Sequence, residues 1–129
     1  MILLDTHVLI WLAAEPTMLS QPARGAIRDA SQSGGLGISA ITLWELAWLA
    51  AHARVGIAET VGSFVEQMTA RTSIRPITSQ IAVLANQFPA SYPKDPCDRL
   101  IGATALAEGI PLVTKDRKIR ACRQIKTIW

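Results

Sequence analysis

Short apolar runs bounded by polar or turn-forming residues alternate along this chain with longer stretches whose apolar positions recur at helical spacing. The runs Ile2–Asp5, Leu36–Ser39, Ile74–Ile77, Pro111–Thr114 and Gln124–Ile128 are predicted strands. The periodic stretches Thr6–Ala14, Ser20–Ser33, Thr42–Arg54, Glu59–Arg71, Ser79–Gln87 and Pro96–Glu108 are predicted helices, punctuated by Glu15-Pro16, Gly34-Gly35, Gly56, Pro76, Pro89 and Gly109. This strand-then-helix rhythm is that of a parallel sheet covered on both faces, so the fold class is α/β. With 129 residues and no linker or repeat, a single domain over residues 1–129 is expected, long enough to bury a core without metal or disulfide staples.

In an open α/β sheet, ligands gather outside the carboxyl ends of the strands. Acids dominate the residues that the predicted elements place there. Asp5 ends the first strand, Glu45 lies in the helix after "LGIS", Asp98 lies in the first turn of its helix, and Asp116 follows "PLVT" by two residues. Each also has a local structural reading. Asp5 and Asp116 can cap the segments that follow them, and Thr42-Leu43-Trp44-Glu45 fits a capping box. In "KDPCDRLIGATALAEG", Asp95 is placed as N-cap, Pro96 as the first helical residue, and Asp98 where the helix dipole favours an acid. The local readings weaken when the four are taken together. Carboxylates gathered at one rim repel one another and have raised pKa values unless a cation neutralises them.

Hard oxygen ligands without histidine or thiolate favour Mg²⁺ or Mn²⁺. Such a site suits phosphodiester hydrolysis, in which the metal activates a water and neutralises charge on the phosphoryl and leaving oxygens.

Composition changes this picture modestly. Half of the residues are hydrophobic and 18% are charged, which fits buried sheet and excludes a disordered chain. The apolar amino-terminal stretch has no basic flank, is interrupted by Asp5 and falls short of the roughly 20 apolar residues of a membrane helix, so a cytoplasmic protein without a membrane association is expected. Cys97 and Cys122 lack metal-ligand spacing and are read as packing thiols. The net charge is only +3, yet Lys115, Arg117, Lys118, Arg120, Arg123 and Lys126 crowd the last fifteen positions, a patch able to attract phosphate backbones or simply to be solvated.

The segments "MILLDTHVLIW", "SAITLWELA", "DPCDRLIGATALAEG" and "PLVTKD", in this order and spacing, resemble a PIN domain, and specifically the VapC-type toxins of bacterial toxin–antitoxin pairs. The resemblance spans essentially the whole chain. It implies a three-layer α/β/α sandwich with a central parallel sheet of about five strands, and a Mg²⁺- or Mn²⁺-dependent endoribonuclease. It also implies a homodimer and inhibition by a small cognate antitoxin. The family's acidic quartet falls on Asp5, Glu45, Asp98 and Asp116, with Asp5 and Asp98 as direct metal ligands and the other two acting through water or a second ion. Thr6 and Thr114 match polar positions beside the metal, with capping or strand-end hydrogen bonding as the alternative. Asp95 is close enough in sequence to tune the site, and Arg99 either contacts phosphate or pairs with an acid. The RNA target, transfer or ribosomal, is left open.

Several residues retain two readings. His7 stands either as a general base or as an imidazole turned to the core or to a carbonyl. Trp44 and Trp48 share a helix face with Leu49 alongside, and with Trp11 they suit either core or an interface with a second protomer or an antitoxin helix. A phosphoacceptor signalling domain is disfavoured, because the expected acceptor position after the third strand holds Ile77-Thr78. A non-catalytic RNA-binding or scaffold module, using its acids as caps, is the alternative function.

Overall fold

The computed structural model describes residues 1–129. Strands β1 (Ile2–Leu4), β2 (Leu36–Ser39), β3 (Ser73–Arg75), β4 (Leu112–Val113) and β5 (Thr127–Ile128) form one sheet in the order β3-β2-β1-β4-β5, with every pairing parallel. Helices α1 (Thr6–Ala14), α2 (Gln21–Gln32), α3 (Ala40–Ala51), α4 (Val61–Thr69), α5 (Ser79–Ala85), α6 (Pro96–Glu108) and α7 (Arg117–Arg120) cover its faces. This is the three-layer α/β/α sandwich anticipated from the sequence.

The pleat of β1 explains the two-sided core. Ile2 and Leu4 point to one face and join Val8, Ile27, Leu46 and Phe64. Leu3 points to the other and joins Ile81, Phe88, Tyr92, Ile101 and Ile119. Neighbouring β4 divides likewise, with Val113 in the first cluster and Leu112 in the second. Both faces are covered, so these strands read as unbroken apolar runs. Each fully buried Leu or Ile contributes about 1.5–3 kcal/mol relative to exposure.

Several boundaries move, each for a local reason. The third strand is Ser73–Arg75 instead of Ile74–Ile77, because Pro76 has no N–H for the ladder. The last two strands shrink to Leu112–Val113 and Thr127–Ile128. Helix α3 begins at Ala40, two residues before the predicted start: Ser39 both ends β2 and caps the helix, accepting the Ile41 N–H at 3.4 Å. Thr42 is therefore inside the helix, and the capping box with Glu45 does not form. The helix ends at Ala51, ahead of Ala53, whose φ of 52° lies in the left-handed region. Helix α4 is shorter than predicted, with Thr60 as its cap, and α5 stops at Ala85.

The strand order places the site. From β1 the chain builds outward through β2 to β3, then crosses back to place β4 on the other side of β1. The β1/β4 boundary is thus the topological switch point, where connections leave in opposite directions and open a crevice at the carboxyl ends. Asp5 follows β1 directly, Thr114 follows β4 directly, and the helices α3 and α6 begin at the same edge.

Candidate active site

Asp5 occupies the N-cap position of α1 but makes no side-chain capping bond. The carboxylate instead accepts a hydrogen bond at 2.7 Å from the Thr114 hydroxyl, which itself accepts the Asp116 N–H at 3.1 Å. Thr114 thereby ties the end of β1 to the turn after β4, and the reading of Asp5 as a helix cap is overturned. Asp5 is only 7% exposed. Burial pushes its pKa up, and the Thr114 hydroxyl and the nearby His7 offset this in part.

Glu45 lies on the second turn of α3, where the missing capping box leaves its side chain free. Its Oε1 is buried and has no hydrogen-bond partner. Burial raises its pKa, the neighbouring Thr6 hydroxyl opposes the rise, and the charge of Asp5 adds to it. The Thr6 and Thr42 hydroxyls are hydrogen-bonded to each other at 3.0 Å, both fully buried.

The two acids at the start of α6 divide the work. Asp95 Oδ1 accepts the N–H groups of Cys97 at 2.7 Å and Asp98 at 3.4 Å, so Asp95 is the cap. Asp98, half-buried in the first turn, is left over. Burial, followed by the charges of Asp5, Asp95, Glu45 and Asp116, pushes its pKa up to about 7. Asp116 caps α7, its Oδ1 accepting from Lys118 at 2.8 Å and Ile119 at 3.1 Å; Oδ2 takes no part in the cap.

These acids therefore form one electrostatic cluster at the switch point. No three His, Cys, Asp or Glu side chains stand in ready-made coordination geometry. An ion such as Mg²⁺, which keeps several waters and takes one or two carboxylates directly, does not need such a cage. Three observations fit a hard divalent cation: an unpartnered buried carboxylate oxygen, carboxylates raised by burial and mutual repulsion, and a donor set of oxygens alone. The nearby Cys97 thiol is pushed up to about 12, chiefly by burial, and remains a protonated packing group.

The other residues singled out from the sequence fall as follows. The Arg99 guanidinium donates to the Ala85 carbonyl at 3.2 Å and lies 5.9 Å from the Tyr92 ring centroid, so the expected ion pair is absent. His7 is exposed, with its ring 6.0 Å from that of Trp11; it faces neither the core nor a carbonyl. Trp44 and Trp48 are 57% and 38% exposed, and His52 stacks on Trp48 at 4.2 Å. They are not core, and Trp11 does not join them, packing instead on Trp129. Two residues were missed. Tyr92 donates its hydroxyl to the Asp98 carbonyl at 2.7 Å, and Lys94 lines a cleft beside the acids.

With this fold and rim in view, the chain belongs to the PIN domain family, whose match spans residues 2–124. It is similar to Ribonuclease VapC22 of Mycobacterium tuberculosis (strain ATCC 25618 / H37Rv), 43% identical over 130 aligned positions that cover 99% of this chain and 98% of that protein. Among solved structures it resembles VapBC2 from Rickettsia felis bound to a promoter DNA fragment, with a TM-score of 0.75, 18% identity and coverage of 98% and 97% of the two chains. A toxin–antitoxin complex from Klebsiella pneumoniae matches with a TM-score of 0.67, 20% identity and coverage of 97% and 95%. At these identities, the two structures attest the fold.

Proposed function

We propose that this chain is a divalent-metal-dependent endoribonuclease, the toxin of a toxin–antitoxin pair, which hydrolyses RNA phosphodiester bonds at the acidic rim. The observation that carries the reading is Glu45 Oε1, buried without a partner in the field of Asp5, Asp95 and Asp98. A structural carboxylate would have found a donor there. The ribonuclease relative supports the activity, and the toxin–antitoxin neighbour supports a small protein partner.

Asp5 and Asp98 would hold Mg²⁺ or Mn²⁺ directly, with Glu45 and Asp116 completing the site through water or a second ion. The bound ion would supply a nucleophilic water at neutral pH and offset charge on the phosphoryl oxygens. The protein's own groups prepare this. Thr114 fixes the orientation of Asp5 and, through the Asp116 N–H, the turn that carries the fourth acid. Asp95 anchors the start of α6 and so sets the position of Asp98. Transfer or ribosomal RNA is the substrate class, a homodimer held by a cognate antitoxin is the resting form, and the cytoplasm is the compartment. No helix is long and apolar enough to cross a membrane.

The test is cleavage of total cellular RNA by the partner-free protein with Mg²⁺, Mn²⁺ or chelator, beside the Asp98→Asn variant. Discrete metal-dependent fragments that vanish in the variant are expected. Intact RNA under every condition, from folded protein that binds Mn²⁺, would leave the fold serving an RNA-binding role instead.

A further inference from the structure

Lys94, Arg117 and Lys118 share the walls of a cleft of about 640 Å³ with two of the acids, Asp95 and Asp116. Opposite charges so placed ordinarily close into ion pairs, yet none of these cations does; the ion pairs of the chain are Arg28–Asp29 and Arg75–Glu108. Both acids are already engaged, because Oδ1 of each accepts main-chain N–H groups at a helix start. The three cations are exposed and without a hydrogen-bond partner for their side chains. Lys94 also lines a second cavity of about 370 Å³ with Asn86 and Arg99, so it borders both hollows.

The basic tail is not uniform in this respect. The Lys115 ammonium lies 5.6 Å from the Trp11 ring centroid, and Arg120, Arg123 and Lys126 are not among the residues lining the cleft. Two tail cations are thus selected by the fold and joined by a third from the α5–α6 connection. A polyanion approaching a cluster of carboxylates is repelled unless cations beside the cluster hold it. Guanidinium and ammonium groups free of internal partners are suited to phosphate oxygens. The cleft is far smaller than the surface a duplex requires, about 16 base pairs for a double-strand-binding module.

We propose that this cleft binds the backbone phosphates of single-stranded RNA flanking the bond cut at the acidic rim, through Lys94, Arg117 and Lys118. The assignment rests on the nuclease reading above. It adds which side of the rim the strand occupies and which cations hold it.

The experiment separates binding from cleavage. A fluorescein-labelled, unpaired 12-nucleotide RNA is titrated against full-length Asp98→Asn protein at several salt concentrations, and fluorescence anisotropy gives Kd. For single strands, each phosphate contact contributes about 0.7 to the slope of log K against log salt. Lys94→Ala, Arg117→Ala and Lys118→Ala should each flatten the slope by about 0.7, and the triple variant by about 2. Arg24→Ala, at an exposed position of α2, should bind as the parent does. In otherwise wild-type protein, the triple variant should raise KM for RNA about tenfold or more with kcat, Mn²⁺ affinity and melting temperature retained, the last because the α7 cap joins the Asp116 carboxylate to main-chain N–H groups that alanine keeps.

An unchanged slope in the triple variant overturns the assignment, as does a loss confined to kcat. An equal loss with a duplex of the same sequence overturns the single-strand claim. Failure of the nuclease reading looks different: wild-type protein would leave RNA uncut with Mg²⁺ and Mn²⁺, while the binding slopes in Asp98→Asn protein remain measurable.

Discussion

The hydroxyl of Tyr92 donates to the main-chain carbonyl of Asp98 at 2.7 Å, so a residue from the α5–α6 connection grips the first turn of the helix that carries the half-buried acid. Tyr92 is itself 2% exposed and stacks on Phe88 with ring centroids 4.1 Å apart. Burial raises its pKa far beyond the working range, which keeps it a donor. Gly102, one turn along α6, makes the room: a Cβ there would fall on the Tyr92 hydroxyl.

Tyr92→Phe should cost about 1 kcal/mol of stability, the usual net value of one hydrogen bond, and should also weaken Mn²⁺ binding by loosening the Asp98 turn. Gly102→Ala should cost about 1–3 kcal/mol through overpacking. In the double variant the clashing oxygen is gone, so the two costs should sum to less than their separate values. Recovery is partial, because Tyr92 Cζ and Ile125 Cδ1 would still meet the new methyl at 3.0 Å. Thermal melts of the four proteins check this, and strict additivity would refute the coupling.

The acidic rim makes the metal-free protein less stable at neutral pH than under mild acid. Asp98 has a folded-state pKa of about 7 against an ordinary value of 3.8, so between those values the folded chain holds a proton that the unfolded chain releases. Its contribution is complete below about pH 4 and is lost as pH rises through about 7. The raised pKa values of Asp5 and Glu45 act in the same direction. Melting temperature in chelator should therefore fall between pH 4.5 and 7.5, by less in Asp98→Asn and in Glu45→Gln. Mn²⁺ should restore the loss at pH 7.5 in wild-type protein, because a ligand bound only by the folded state stabilises it. A flat profile in chelator would show that neither burial nor mutual repulsion raises these carboxylates in the folded chain.

The parts of this site that were legible in the sequence are those set by local rules. Asp5 sits immediately beyond one apolar strand and Asp116 in the short turn after another, so placing the strands placed both acids. Pro96 marks the first helical residue, which makes Asp95 the cap and places Asp98 in the first turn; the assignment of Asp98 to a metal rests instead on the resemblance of "DPCDRLIGATALAEG" to PIN domains. Glu45 lies in the helix after β2, as the pattern predicts, but its alternative reading as a capping-box member fails, because nothing in "LGISAITLWE" announces that Ser39 ends the strand and starts the helix without a loop. Tyr92 and Lys94 were invisible for a different reason. They lie in a connection without periodicity, and their roles arise only when α6 and α7 fold against it. The tryptophans show the limit of pattern: Trp44 and Trp48 do share a face, but spacing alone does not say that the face is turned to solvent.

Asp116 serves two roles that substitution can separate. One oxygen caps the four-residue helix α7, and the carboxylate's charge adds to the cluster around Asp98. Serine caps a helix about as well as aspartate but brings neither charge nor second oxygen, whereas alanine gives neither cap nor charge. Asp116→Ser should therefore keep near-wild-type stability while losing RNA cleavage, and Asp116→Ala should lose cleavage and about 1 kcal/mol as well. Asp95 should behave the opposite way: Asp95→Ser should retain both stability and most activity, because its bonds to Cys97 and Asp98 are capping bonds that serine can make. Denaturant melts and cleavage rates measured on the same preparations decide the matter. Full activity in Asp116→Ser would remove Asp116 from the catalytic group and leave it a cap alone.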